Sequence, residues 1–186
     1  GDNLPAIDLG TGRTATQITA GYGHTCALLD DATTKCWGRG YDGRLGQGDT
    51  SHRGDGAGEM GDNLPAIDLG TGRTATQISA GASHTCALLD NATVKCWGSG
   101  YNGRLGYGDT SHRGDEAGEM GDNLPAIDLG TGRTATQISA GGYGHTCALL
   151  DDATVKCWGS GYNGRLGQGD TSHRGDEAGE MGDNLP

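Results

Sequence analysis

The chain contains no phenylalanine, aromatic residues make up 5% of it, and hydrophobic residues of all kinds only 33%. That supply is too small for one central core of the usual kind, so any apolar interior has to be thin and divided. Apolar runs stop after about four residues, as in 26-CALL-29, which excludes a membrane-spanning helix. No run of lysine or arginine interrupts a formal net charge of −11. An acidic surface of this kind repels phosphate backbones and anionic lipid, so neither nucleic acid nor membrane insertion is expected. C-x-x-C and G-x-S-x-G are both missing, which removes the usual redox pair and the nucleophile elbow. The only histidine-rich spot, Ser51-His52 with Asp49, lies in a glycine-rich stretch with no nucleophile beside it, and the expectation is a protein that is not an enzyme. The sequence opens with neither a signal peptide nor an initiating Met, so a mature or excerpted piece is expected.

What the chain has in excess is glycine, 38 residues, and repetition. GDNLPAIDLGTGRTATQI begins at Gly1, Gly61 and Gly121, and GDNLP returns at Gly182. The periods are 60, 60 and 61 residues, the added residue being one glycine in 141-GGYGHT-146. The first two units differ at nine of 60 positions. The chain therefore divides into units 1–60, 61–120 and 121–181, with 182–186 opening another, and a window of a longer array is expected.

Within a unit, Pro and Gly punctuate short stretches rich in Ile, Thr, Val, Cys and Trp, with no helical spacing longer than a turn. Four strands are predicted: Ala6–Leu9, Thr16–Ala20, His24–Leu29 and Thr34–Trp37. Residues 38–63 form a long Gly/Asp-rich connection that must bind something or pack on its neighbours. Alternation along 24-HTCALL-29 places His24, Cys26 and Leu28 on one face and Thr25, Ala27 and Leu29 on the other. Both faces carry apolar side chains, as in stacked or radially arranged sheets.

The six cysteines share one spacing. Asp30-Asp31-Ala32 has the chemistry of a hairpin turn, and with Leu29 opposite Thr33 across a three-residue loop, Cys26 faces Cys36. Cross-strand Cβ atoms on one face lie roughly 4.5–5.5 Å apart and a disulfide needs about 3.5–4.5 Å, so a twisted pair comes within reach. The spacing predicts Cys26–Cys36, Cys86–Cys96 and Cys147–Cys157, and with them an oxidising compartment, outside the cell or at its surface. Reduced core thiols and a metal site are the alternatives, zinc being short of an obvious fourth ligand after His24 and the two cysteines.

In 18-ITAGYGHTCALLDDATTKCWGRGYDGRLGQGD-49 an I-x-A-G-x-x-H-x-x-A-L core is followed by x-x-W-G and by a closing G-x-L-G-x-G. The stretch resembles the repeat of the regulator of chromosome condensation, and each unit carries all of its elements. The HTCAL…CWG version resembles the cysteine-bearing repeats of secreted or surface bacterial proteins. The resemblance implies an all-β fold, one blade of four antiparallel strands per unit, and normally seven blades in a closed propeller. Three blades cannot close a ring, which leaves part of a larger propeller or an open superhelical array. Nucleotide exchange on a small GTPase is not carried over, because the loops that perform it have no match here, and no GTPase partner is expected.

Other residues are weighed against plain structural roles. Trp37, Trp97 and Trp158, with Leu45, Leu105, Leu166, Ile18, Ile78 and Ile138, are expected to fill the layer between blades. His24, His84 and His145 are expected to be structural imidazoles. Asp49, Asp55, Glu59 and Asp62, interspersed with glycines, are candidate calcium ligands, although no EF-hand pattern is present and Arg53 neutralises one carboxylate; no cofactor is required. Arg53-Gly54-Asp55 spells an adhesion tripeptide but is better explained by a turn held through Arg–Asp pairing. Asn91 heads an N-glycosylation sequon at a hairpin tip, and the threonines of 11-TGRTATQ-17 could carry O-linked sugar.

Near-identical blades without an active site point to an extracellular structural or scaffold protein that self-assembles into a filament, sheath or surface layer, its partners being other copies or further repeats of the same chain. The alternative is a secreted closed propeller that captures a protein or glycan.

Overall fold

The structure, a computed structural model, describes residues 3–186. Each unit builds one antiparallel three-stranded sheet: β1 Ala15–Ala20, β2 His24–Leu29 and β3 Thr34–Gly38; β4 Ala75–Ala80, β5 His84–Leu89 and β6 Val94–Gly98; β7 Ala135–Ala140, β8 His145–Leu150 and β9 Val155–Gly159. The strand order follows the chain, so each blade is a simple meander. Among the described residues the remaining regular structure is single 3₁₀ turns, such as Tyr41–Gly43 and Gly61–Asn63, and no helix is long and apolar enough to cross a membrane.

The β2–β3 hairpin closes as its residues dictate. Leu29 N–H donates to Thr33 O at 2.8 Å and Ala32 N–H to Leu29 O at 3.0 Å. The Asp31 carboxylate fixes the turn by accepting from the Thr33 N–H and hydroxyl, at 3.1 and 2.6 Å. Ala32 takes φ +63°, the left-handed residue that a three-residue hairpin loop demands. The register then places Leu28 opposite Thr34 and Cys26 opposite Cys36, and repeats in the other two blades.

The fourth strand expected at Ala6–Leu9 does not form; the segment is irregular, as are its counterparts. Residues 66–69 run beside the preceding blade instead, attached through one backbone bond, Ile67 N–H to Thr34 O at 2.8 Å, matched by Ile127 N–H to Val94 O. A ladder cannot extend from there. Pro65 offers no N–H, and the next groups are committed elsewhere: Asp68 O accepts from Gly121 N–H and the Asp68 carboxylate from Gly70 N–H.

The two faces of each sheet follow the alternation. Gln17, Thr19, His24, Cys26 and Leu28 share a front face, while Ile18, Ala20, Thr25, Ala27 and Trp37 share the back. The core lies between blades. The front of blade 1, with Cys26, Leu28, Cys36 and Leu45, meets Ile78, Ala87, Leu89 and Trp97 on the back of blade 2, with Ile67 and Leu69 filling the rim. The second layer repeats this with Cys86, Leu88, Val94 and Leu105 against Ile138, Ala148, Leu150 and Trp158.

Candidate functional site

The contact between blades is the most specific assembly of side chains in the molecule. The first strand of each blade is a sheet edge, so every second N–H and C=O along it points away from its own sheet. The blade in front covers them with side chains. The Gln17 amide grips Ile78 at both ends, Nε2 donating to Ile78 O and Oε1 accepting from Ile78 N–H, each at 3.1 Å. Thr19 Oγ1 accepts from Ala80 N–H at 3.0 Å. At the next contact Gln77 grips Ile138 at 3.0 and 2.9 Å, and Ser79 Oγ accepts from Ala140 N–H at 2.8 Å.

A buried polar chain runs beside these clamps. Thr85 Oγ1 donates to Arg44 O at 2.9 Å, and its oxygen lies 2.9 Å from His24 Nε2. The hydroxyl proton is already used, so His24 carries its proton on Nε2 and Nδ1 is left without a partner. His84, Thr146 and Arg104 repeat the arrangement at the same distances. Burial first, then the neighbouring Arg44 or Arg104 guanidinium, lowers these imidazoles to about 4 for His24 and about 3 for His84. They are neutral structural groups near pH 7.

Each disulfide bridges β2 to β3, or its counterparts, on the front face: Cys26–Cys36, Cys86–Cys96 and Cys147–Cys157, with Cα atoms 4.1 Å apart. Trp97 and Trp158 are fully buried and seat against the turns of the blade in front; a Cβ on Gly46 or Gly106 would strike their indole nitrogens. Trp158 Nε1 donates to Arg104 O at 3.1 Å. Trp37 is only half-buried, and Ile18 lies 64% exposed against 1% for Ile78 and 2% for Ile138. Ile18 and Trp37 thus stand outside the layer their counterparts fill, because no blade covers the back of blade 1. Leu45, Leu105 and Leu166 are all buried.

The candidate calcium ligands are not brought together, and no group of three acidic, histidine or cysteine side chains that could hold a metal occurs among the described residues. Three of the four carboxylates have other work. Asp49 pairs with Arg53 Nη2 at 2.6 Å. Glu59 Oε2 accepts the N–H groups of Gly54, Asp55 and Gly56, which holds its carboxyl below the ordinary range. Asp62 takes the Thr11 hydroxyl and N–H at 2.6 and 2.8 Å, with the same consequence. With Arg53 tied to Asp49, the Arg53-Gly54-Asp55 turn is a packing element: its counterparts at 113–115 and 174–176 lie against Gly43 and Gly103 of the preceding blade. Asn91 is exposed at its hairpin tip, accepting from Thr93 as Asp31 does from Thr33.

Besides the clamps, two groups escaped sequence reasoning. Lys35 lies buried on the back face and donates to Leu9 O and Gly61 O at 3.0 and 2.8 Å, locking the entry of one unit to the start of the next. Burial lowers the pKa of its counterpart Lys95. Position 47 carries the other. Gln47 and Gln168 donate to Pro65 O and Pro186 O, and Tyr107 replaces them with a hydroxyl 3.2 Å from Pro125 O. A lone lysine in a strand, or one Gln-to-Tyr exchange, carries no signal of such partners.

The pattern described as the regulator of chromosome condensation (RCC1) repeat matches residues 15–44, 75–104 and 135–165, and a second pattern of that description matches 36–88. The chain belongs to this family. Among its relatives, the ultraviolet-B receptor UVR8 of Arabidopsis thaliana is 36% identical over 155 residues, which is 83% of this chain and 31% of the receptor. The human E3 ubiquitin-protein ligase HERC2 is 31% identical over 153 residues, 82% of this chain and 3% of the ligase. Yeast RCC1 (Prp20), in a crystal structure with Kap60, superposes with a TM-score of 0.62 at 19% identity, covering 87% of this chain and 36% of that one. Human WBSCR16 does so with a TM-score of 0.61 at 20% identity, covering 90% and 41%. These likenesses establish the propeller-blade fold. The chain spans about a third of the receptor's length and far less of the ligase.

Proposed function

We propose that this chain is an extracellular structural or scaffold protein of the cysteine-bearing bacterial type, whose blades self-associate into a filament, sheath or surface layer. One observation carries the reading. The glutamine clamp, the His–Thr–carbonyl chain and the tryptophan seat between blades 1 and 2 recur between blades 2 and 3, where Ser79 stands for Thr19 and Trp158 adds an indole bond that Trp97 does not make. A contact whose main clamps recur from one blade to the next suits an array of any number of blades. Three disulfides support an oxidising location. The acidic surface disfavours nucleic acid and a GTPase partner is not part of this reading, nor is a calcium requirement.

A second reading, a closed propeller that captures a protein or glycan, draws on one feature. Tyr41, Tyr101 and Tyr162 form an exposed row, each ring standing edge-on to His52, His112 or His173 at 4.7–5.0 Å between centroids. Electron microscopy of purified material separates the two: filaments with a repeat of one or a few blades are expected, and discrete toroids would favour capture.

A further inference from the structure

Exposed aromatic rings gather at one end of the blades, and the middle blade is as bare there as its neighbours. Tyr41, Tyr101 and Tyr162 are 53, 59 and 58% exposed, so their openness belongs to the repeat and not to an uncovered first or last blade. Each ring is held in a fixed pose. Gly40 N–H donates to His52 Nδ1 at 3.2 Å, and the His52 ring stands edge-on to Tyr41 with centroids 4.7 Å apart. Arg44 Nε donates to Tyr41 O at 2.9 Å, and the same bonds recur at 2.8 and 3.1 Å around Tyr101 and Tyr162. With Nδ1 accepting, each neutral histidine carries its proton on Nε2, a donor beside the ring. Between the first two rings, Asp42 Oδ1 lies 3.6 Å from His112 Nε2. In blade 1 the Arg44 guanidinium also holds Tyr22 O at 3.3 Å, on the loop that joins β1 to β2. Because His24 pairs with Gly38, that loop and the Tyr41 turn share one end of the sheet, which sets a second ring, 74% exposed, beside the row.

We propose that this row binds a neutral polysaccharide, with sugar rings of one polymer stacking on successive tyrosines. The proposal rests on the capture reading above and names its ligand class, and it applies to a closed ring and an open array alike. The rings are isolated, one in each 3₁₀ turn, with polar groups between them, whereas a protein partner is gripped through a contiguous, desolvated centre. Their settings are also the same from blade to blade. A repeated site fits a ligand that itself repeats, and weak contacts to one polymer add through effective concentration. The face of a sugar ring presents C–H groups of slight positive charge to the negative face of a tyrosine ring, and its rim hydroxyls suit the histidine Nε2–H. A formal charge of −11 turns acidic polymers away and leaves neutral ones.

The test is retention of the whole 186-residue chain on insoluble cellulose, chitin and β-1,3-glucan, at low salt and at about 1 M salt. Wild type is expected to bind at least one of the three, equally well at both salt concentrations. Tyr101→Ala should weaken that binding about three- to tenfold, and alanine at Tyr41, Tyr101 and Tyr162 together about a hundredfold or more. Tyr101→Phe keeps the ring and should stay within about twofold of wild type. The substituted side chains are exposed, so urea midpoints should not move, which separates lost binding from lost folding. No retention on any of the three polymers overturns the proposal, as does retention that the triple substitution leaves intact or that salt abolishes. Failure here leaves the scaffold reading untouched, because filaments are scored by microscopy without sugar. If retention fails while discrete toroids are seen, the sugar is wrong and capture of a protein stands.

Discussion

Ile18 and Ile78 occupy the same position of the same strand in units that are nearly copies, yet one is 64% exposed and the other 1%. The contrast extends across the two ends. Leu4 and Ile7 lie open while Leu64 and Ile67 are buried, and Val155 projects where Val94 has no exposed surface. Local structure is indifferent to this: strands, hairpin register and disulfide are the same in all three blades. A blade therefore takes its shape from its own sequence and its apolar cover from its neighbours. Stability in such a molecule is a sum of intrinsic terms and contacts between adjacent units.

The largest expected effect breaks that comparison at tryptophan. Trp97→Ala removes a fully buried indole from the layer between blades and should cost about 3–5 kcal/mol, while Trp37→Ala, at the open end, should cost about 1 kcal/mol. Ile78→Ala and Ile18→Ala form a parallel pair, about 2–4 against less than about 0.5 kcal/mol. Urea unfolding of dilute protein reads all four. Equal losses within either pair would mean that the ends are covered in solution.

Disulfides give the next test. Removing one crosslink over a loop this short, by Cys86→Ala with Cys96→Ala, should lower stability by about 2–3 kcal/mol. Access should differ more than stability does. Cys26, Cys36, Cys86 and Cys96 have no exposed surface, whereas Cys147 and Cys157 are partly open, so mass spectrometry during phosphine treatment of dilute protein should show the third bond reduced first. Simultaneous reduction of all three would deny the difference between interior and end.

Much of this was legible in the sequence, and the reason is periodicity. A period of 60 residues, alternation along 24–29 and a ten-residue cysteine spacing each fix geometry through short-range rules. Those rules place Cys26 opposite Cys36 and divide the strand's two faces correctly. The fourth strand failed because Ala6–Leu9 has strand composition, and its counterpart 66–69 finds only one partner on the preceding blade. Three of the four acidic residues proposed for calcium, Asp49, Glu59 and Asp62, share a stretch of chain but point to different partners, Arg53, the 54–56 backbone and Thr11. The clamps were invisible for a different reason. A glutamine at position 17 looks like any solvated strand residue until the next blade brings Ile78 beneath it.

The histidine chain predicts a pH dependence graded by position. Unfolded, each histidine takes a proton near pH 6.5. Folded, His24 resists to about 4 and His84 to about 3. Above pH 6.5 both states are neutral there and stability is unaffected. As pH falls through 6.5 the unfolded state binds protons that the folded state refuses, so stability drops by about 1.4 kcal/mol per pH unit for each such histidine until the folded values are reached. Urea midpoints from pH 7 to 5 should show it, and His84→Gln should flatten the slope by about half. His145 at the open end is lowered too, again by burial first, yet it stays half-buried, so His145→Gln should change the slope less.

The smallest effect separates what a blade owns from what it borrows. Ala32, Ala92 and Ala153 hold φ between +62° and +66° at the third position of their hairpin loops. A left-handed conformation costs a residue with a Cβ about 1–2 kcal/mol, and glycine's greater freedom when unfolded returns part of that, so Ala→Gly at each position should stabilise by about 0.5–1 kcal/mol. The turn is set by Leu29, Thr33 and Asp31 or their counterparts, all within the hairpin itself. The gain should therefore be the same for the first, middle and last blade, in contrast to Ile18 and Ile78. A gain that shrinks at Ala92 alone would trace to the backbone bond that its own carbonyl accepts from the next blade, Ala135 N–H to Ala92 O at 3.0 Å, and would show that even this turn leans on the neighbouring blade.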